Sequence, residues 1–233
     1  MLNVYSSLDF SQLNAHFWDQ FQRSSCFPNT CPCESFSDGF FMQPTLVITS
    51  LPYIFIGLFI MLKFNWRIKA LGLSFILTGL GSVLLHASLT EMGQIADFSG
   101  IALTFLWVLL HITIKGNKRL FALFIFLSLG IYILFFNFIE VRYYVVFGII
   151  LLQLIFIPIK KPGFFFNHKR VSIVSVLFLA VGFVLFRMDM HRLFCPEFSL
   201  FQGHALWHMC VTVSQILLTR NLYLEEIHLH EVS

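Results

Sequence analysis

Charged side chains are scarce in this sequence of 233 residues. Asp, Glu, Lys and Arg make up 12% of the chain, against about 25% in ordinary soluble domains. The chain is 58% hydrophobic and contains 30 Phe, more apolar surface than a soluble domain of this length can bury. The scarcity of charge therefore excludes an ordinary soluble domain and predicts a protein whose solvent is largely lipid.

A basic face and a signal peptide are also absent. The net charge is only +3, without a basic cluster, so we expect no nucleic-acid partner. Residues 1–45 are polar and aromatic and lack the basic-then-apolar pattern of a cleaved signal peptide. We expect an extracytoplasmic N-terminal segment over 1–45, a transmembrane domain over 46–219 and a cytoplasmic tail over 220–233.

Seven apolar stretches predict an all-α bundle of seven transmembrane helices. Each stretch has about 16–20 residues, close to the ~20 that cross a ~30 Å hydrocarbon core. Backbone hydrogen bonds must be made inside lipid, and continuous apolar runs without alternation favour helices over a barrel. The predicted spans are 46–62, 71–89, 98–114, 120–139, 143–159, 171–186 and 202–219.

The distribution of Lys and Arg predicts the orientation of these spans. Four of the fifteen lie on the side of the N-terminus, which we call the outer side, and the other eleven lie on the opposite side. Positive charge favours the cytoplasm. We therefore expect the N-terminus outside or in a lumen and the C-terminus in the cytoplasm.

Five polar side chains inside the spans mark a candidate site, because ionisable groups are costly in lipid. Ser82 and His86 lie four residues apart near the end of the second span, so they share a helix face. Asp97 lies at the start of the third span. His204 and His208 form another such pair at the start of the seventh. The predicted topology brings all five to the outer side.

This set is typical of a catalytic zinc site, in which three neutral ligands leave a fourth position open. His86, His204 and His208 are the predicted zinc ligands. Zinc activates bound water and polarises a carbonyl. Asp97 is then a candidate general acid–base, and Ser82 a candidate hydrogen-bond donor to the oxyanion.

Taken singly, these residues also have structural explanations. Asp97 suits the N-cap of its helix. Ser82, which lies beside Gly79 and Gly81, suits helix packing. The remaining membrane-end histidines are interpreted as amphipathic interface residues: His111, His168, His228 and His230. The convergence of the five residues favours the zinc site.

The run GSVLLHASLTEMGQIAD at 81–97 and the run QGHALWH at 202–208 resemble the motifs of the alkaline ceramidases. This family belongs to the CREST superfamily of seven-helix membrane hydrolases, which includes adiponectin-receptor-like proteins. Its pattern is Ser-x3-His in helix two, Asp eleven residues later and His-x3-His in helix seven. The resemblance implies zinc on the three His, catalytic support from Asp97 and Ser82, and cleavage of the N-acyl amide of a ceramide-like membrane lipid.

The resemblance extends to Cys33-Glu34, which is similar to a Cys-Glu pair before helix one of the ceramidases. There, acidic groups hold calcium near the zinc, which makes Glu34 a candidate calcium ligand. Gln43 stands where a Glu is usual, and calcium takes six to eight oxygens, which counts against this second metal. The resemblance also implies a disulfide between Cys33 and Cys195.

Other interpretations stay open. Cys26 and Cys31 can form an alternative disulfide, and Cys31-x-Cys33 lacks the second pair of a zinc knuckle. Cys210, in the seventh span, is interpreted as a packing residue. A hydrolase of another acyl lipid and a receptor or scaffold with structural zinc are the alternative functions. Short loops favour a bacterial inner membrane, with a eukaryotic endomembrane as the alternative.

Overall fold

A computed structural model describes residues 15–26, 31–64, 66–113, 118–160, 169–193 and 200–231. Most of these residues are helical, including two short 3-10 helices, and an isolated antiparallel bridge joins Arg23 and Thr90. The all-α prediction is confirmed for this part of the chain. Its α-helices are α1 (Pro44–Lys63), α2 (Trp66–Ser88), α3 (Glu91–Thr113), α4 (Lys118–Asn137), α5 (Arg142–Lys160), α6 (Lys169–Met190) and α7 (Gly203–Glu231).

Within the described ranges, five helical segments are long and apolar enough to cross a membrane. They lie in α1, α2, α3, α5 and α6, and α4 adds the shorter apolar stretch Ala122–Asn137. The more polar α7 carries the two predicted histidine ligands. A multi-pass membrane protein is consistent with these helices, whereas the count of seven spans and the orientation of the termini stay predictions.

Two helix boundaries differ most from the predicted spans. Helix α3 begins at Glu91, so Asp97 lies in its second turn and the N-cap interpretation is wrong. Thr90 takes that role, because its hydroxyl accepts a hydrogen bond from the Gly93 amide at 3.2 Å. Helix α7 continues to Glu231, beyond the predicted span, because a helix can extend outside the apolar layer.

Helix α2 packs between α1 and α3, while α7 packs against both α1 and α6. Glycines allow the close approach of α1, α2 and α3. A Cβ atom on any of these glycines would lie 2.4–2.8 Å from an atom of the neighbouring helix: Gly57, Gly72, Gly79, Gly81, Gly93 and Gly100. Small residues let helices associate in lipid, where the hydrophobic effect is absent.

The N-terminal segment closes the outer end of the bundle. The amides of Met42 and Gln43 donate to the carbonyls of Ala87 and His86 at 3.0 and 2.9 Å. These bonds satisfy carbonyls that the end of α2 leaves without helical partners. Helix α1 then begins directly after Gln43, so the segment fixes α1 and α2 relative to each other beside His86.

Candidate metal centre

The structure brings the three predicted zinc ligands together. One ligand nitrogen from each of His86, His204 and His208 lies within 4.8 Å of the others. The ring centroids are 4.8–5.3 Å apart, and the side chains are only 1%, 8% and 4% exposed. The predicted convergence of the ends of α2 and α7 is therefore confirmed.

A hydrogen bond to Gln43 orients the ring of His86. The Gln43 amide nitrogen lies 3.4 Å from the carbonyls of Pro32 and Glu34, so its Oε1 faces His86 Nδ1, at 2.9 Å. That oxygen can only accept, so Nδ1 carries the ring proton. His86 Nε2 keeps its lone pair, and it is buried without a partner in the described residues.

Thr49 orients the ring of His208 in the same way. Its single hydroxyl proton is donated to the Leu46 carbonyl at 3.2 Å, so its oxygen accepts from His208 Nδ1 at 3.1 Å. His208 Nε2 is then the nitrogen with the lone pair. The Tyr53 hydroxyl donates to the His208 carbonyl at 3.1 Å. This hydrogen bond is a second contact between α1 and α7.

The donor set fits a metal ion of the zinc type. Buried polar atoms are rarely left without partners, yet His86 Nε2 and His204 Nδ1 have none among the described residues. Neutral imidazoles oriented by outer hydrogen bonds are the usual ligands of zinc and similar ions.

Ser82 and Asp97 form the second part of the site. Their side chains interact, both are buried, and both line the same cavity as the three imidazoles. Gly81 permits this, since a Cβ atom there would lie 2.5 Å from the Ala96 carbonyl carbon and 2.6 Å from the Asp97 amide nitrogen. The Ser50 hydroxyl lies 2.9 Å from that of Ser82 and links the pair to α1.

Two buried carboxylates fix the helices that carry the site. Glu34 accepts from the amides of Thr45 and Leu46 at 2.7 and 3.0 Å, so it caps the N-terminus of α1. Asp189, at the end of α6, accepts from the amides of Cys33 and His204, both at 2.9 Å. Asp189 therefore joins α7 to the N-terminal segment next to the first histidine of the pair.

The observed role of Glu34 is helix capping. Both of its oxygens are used in this way, and Asp38, another carboxylate of the same segment, is exposed. Among the described residues, the three histidines are the cluster of His, Cys, Asp or Glu side chains that could hold an ion. Calcium at Glu34 stays a prediction without support from this geometry.

The disulfide that lies wholly within the described residues joins Cys26 and Cys31. This pairing is the one interpreted from the sequence as an alternative. Cys33 is also disulfide-bonded, but Cys195 lies outside the described residues, so the Cys33–Cys195 pairing stays a prediction. Cys210 is a free cysteine in α7, where its Cβ lies against Gly182 of α6.

A long apolar cavity leads from the histidines into the bundle. Together with space that is open to the surroundings, its volume is about 1090 Å³. Along α3 it extends from Gln94 to Phe105, eleven residues or about 16 Å of helix. Aromatic side chains form much of its wall: Phe98, Phe105, Phe147, Phe183, Phe186 and Trp207.

Sequence analysis missed several of these residues. Thr49 and Asp189 were not singled out, and Gln43 was noted only as a departure from the ceramidase pattern. The signal for Asp189 was an acidic residue at the outer end of an apolar span, which is costly unless it has partners. Thr49 gives no such signal, because hydroxyl side chains are common in membrane helices.

Comparison with models of known protein families finds no match to this chain, and comparison with curated proteins finds none either. The relation to the alkaline ceramidases therefore rests on the resemblance of the two motifs and of Cys33-Glu34.

Proposed function

We propose that this protein is a zinc-dependent membrane amidohydrolase that cleaves the N-acyl amide of a ceramide-like lipid. The observation that carries the proposal is the cluster of three buried imidazoles, with one nitrogen of each within 4.8 Å of the others, beside the Ser82–Asp97 pair. A structural zinc site has four protein ligands, whereas three ligands next to a carboxyl are typical of hydrolytic sites.

The residues of the chain divide the chemistry between them. Zinc, when bound to the three imidazoles, supplies Lewis acidity to the carbonyl and lowers the pKa of water. The Asp97 carboxylate takes a proton from the attacking water and gives it to the leaving nitrogen. Ser82 donates a hydrogen bond to the carbonyl oxygen as negative charge develops there.

The cavity accounts for the lipid character of the proposed substrate. Its wall is mostly apolar and aromatic, and it begins at the imidazoles and runs about 16 Å along α3. An acyl chain that fills this space places its amide carbonyl beside the histidines, at the outer end. The apolar wall accommodates the acyl chain, and the few polar groups fix its orientation.

Lipid access is proposed between α5 and α6. Phe147 of α5 and Phe183 of α6 contact each other with ring centroids 5.2 Å apart. Both rings line the cavity, yet they are 38% and 36% exposed. The wall between the cavity and the surrounding lipid is therefore one side chain thick at this point, and rotation of the two rings would open it.

The proposal is tested with the full-length chain purified in detergent. Zinc content and fatty-acid release from acyl-amide and acyl-ester lipids are measured for the native chain and for Asp97→Asn. We expect unchanged zinc and loss of release by a factor of about 100 or more in the variant. Zinc binding without release of fatty acid from any of these lipids would favour a receptor or scaffold with structural zinc. Release from esters but not amides would favour another lipid hydrolase.

A further inference from the structure

Arg142 is a buried cation on the outer side of the bundle. It is the first residue of α5 and only 6% exposed. Its guanidinium donates to the Ile139 carbonyl at 2.6 Å and to the Ser25 hydroxyl at 2.9 Å, while Nε has no partner in the described residues. Among the described residues, no carboxylate contacts the guanidinium. Because a guanidinium stays charged, its positive charge is uncompensated there.

The guanidinium lies directly behind the wall of the lipid cavity. Its Cζ atom is 4.4 Å from the ring centroid of Tyr143 and 5.2 Å from that of Phe98. Both rings line the cavity. Contact with ring faces stabilises a cation, but it does not replace the anion that a buried charge ordinarily pairs with.

Hydrogen bonds connect Arg142 through Ser25 to Gln94, which lines the cavity. The Ser25 hydroxyl accepts from Arg142 and lies 3.1 Å from Gln94 Oε1, to which the Ser25 amide also donates at 3.1 Å. With Oε1 held by Ser25, the amide nitrogen of Gln94 is the donor left without a described partner. Gln94 is buried and lines the cavity. This end of the cavity therefore combines hydrogen-bond donors with a positive charge.

We infer that the outer end of the cavity binds the phosphate of an anionic lipid head group. Phosphate oxygens accept hydrogen bonds from amide and guanidinium donors, and their charge matches that of Arg142. Gln94 donates to the phosphate, while Arg142 attracts it from behind the aromatic wall of the cavity. The inference rests on the proposed function in placing the lipid amide at the histidines, and it makes the substrate a phosphate-bearing acyl amide.

The test uses two lipids with the same acyl chain and sphingoid base, a ceramide and its 1-phosphate. Their dissociation constants are measured on the metal-free full-length chain in neutral detergent, where no turnover occurs, and KM and kcat on the zinc-loaded chain. We expect the phosphate-bearing lipid to bind at least about tenfold more tightly, because Gln94 donates to its phosphate and the charge of Arg142 attracts it. Arg142→Gln should abolish this preference by raising KM for the 1-phosphate, with kcat and the affinity for ceramide changed less than about twofold.

Three further variants separate charge recognition from structural support. Arg142→Lys keeps the charge and should keep part of the preference. Ser25→Ala removes the hydrogen bond between Arg142 and the N-terminal segment and should leave most of it. Arg187→Gln removes an exposed charge from the same side of the bundle and should leave all of it. If Arg142→Gln fails to fold, Gln94→Ala replaces it, and a greater loss of affinity for the 1-phosphate than for ceramide is the supporting result.

Several results would overturn the inference. Equal affinity of the native chain for the two lipids would overturn it. A loss of the preference for the 1-phosphate in Arg187→Gln as large as that in Arg142→Gln would also overturn it. Inorganic phosphate that displaces the 1-phosphate at equal concentration would show a site for the free anion. An Arg142-dependent preference in binding, without hydrolysis of either lipid, would uphold this inference while the proposed hydrolase function fails.

Discussion

The side-chain oxygen of Gln43 accepts a hydrogen bond from Nδ1 of His86 at 2.9 Å, and this contact leaves Nε2 of that ring to a metal. The Gln43 amide is itself fixed by two backbone carbonyls and is fully buried. A residue just before α1 therefore sets the tautomer and the orientation of a ligand at the end of α2.

Replacing Gln43 with Leu should weaken metal binding by about 10- to 100-fold, the usual cost of removing the outer partner of a histidine ligand. Zinc affinity is measured by competition with a chelator of known affinity. Gln202→Leu is the matched control, because Gln202 is equally buried and contacts Glu34 rather than a histidine. Equal affinities in the native chain and Gln43→Leu would show that this hydrogen bond does not orient His86.

Gly81→Ala should separate Ser82 from Asp97. The new methyl group would lie 2.5–2.6 Å from backbone atoms of Ala96 and Asp97, so α2 and α3 must move apart. We expect kcat for fatty-acid release to fall by about 100-fold, because small displacements of catalytic groups are costly. Gly130→Ala is the control, since nothing lies within 4 Å of a Cβ atom there. Full activity in Gly81→Ala would contradict a catalytic role for this pair.

Asp189→Ala should destabilise the outer end of the bundle. The change leaves the buried amides of Cys33 and His204 without an acceptor, at a cost of about 2–4 kcal/mol in the free energy of unfolding. Unfolding is followed by circular dichroism as a denaturing detergent is added. Asp38→Ala, which changes an exposed carboxylate of the same segment, should unfold like the native chain. If both variants unfold alike, the Asp189 contacts contribute nothing to stability.

A cross-link between α5 and α6 should block lipid access. Phe147→Cys and Phe183→Cys are combined in a Cys210→Ala background and treated with a short bifunctional thiol reagent, which ties together two helices whose rings are 5.2 Å apart. We expect turnover to fall more than about tenfold, because the cross-link blocks the opening between α5 and α6 that lipid entry requires. The control pair, Leu151→Cys with Ile155→Cys, places both thiols on the exposed face of α5 alone. Undiminished turnover after cross-linking of the first pair would place lipid access elsewhere.

The sequence alone was enough to predict the helical class and the meeting of the three histidines. Apolar runs mark membrane helices because lipid demands internal hydrogen bonding, and alternating topology then places the end of α2 and the start of α7 on the same side. The start of α3 was predicted too late, at residue 98 instead of Glu91. Its first two turns carry polar residues, which hydropathy does not distinguish from a loop.

The residues that support the site were harder to predict. Glu34 was considered as a metal ligand because of a family resemblance, whereas its oxygens accept from the first amides of α1. Asp189 contacts Cys33, 156 residues away in sequence, and no periodicity relates two such positions. Arg142 was counted only as an outer positive charge. Its burial depends on the packing of the N-terminal segment against α3 and α5, which one sequence does not specify.

The most direct test of the central proposal is the zinc content of three purified chains, measured by elemental analysis after extensive dialysis. We expect one zinc per chain in the native protein and in Asp97→Asn, and essentially none in His204→Ala, which removes one of the three imidazoles. Retention of stoichiometric zinc by His204→Ala, or its absence from the native chain, would contradict a metal centre at His86, His204 and His208.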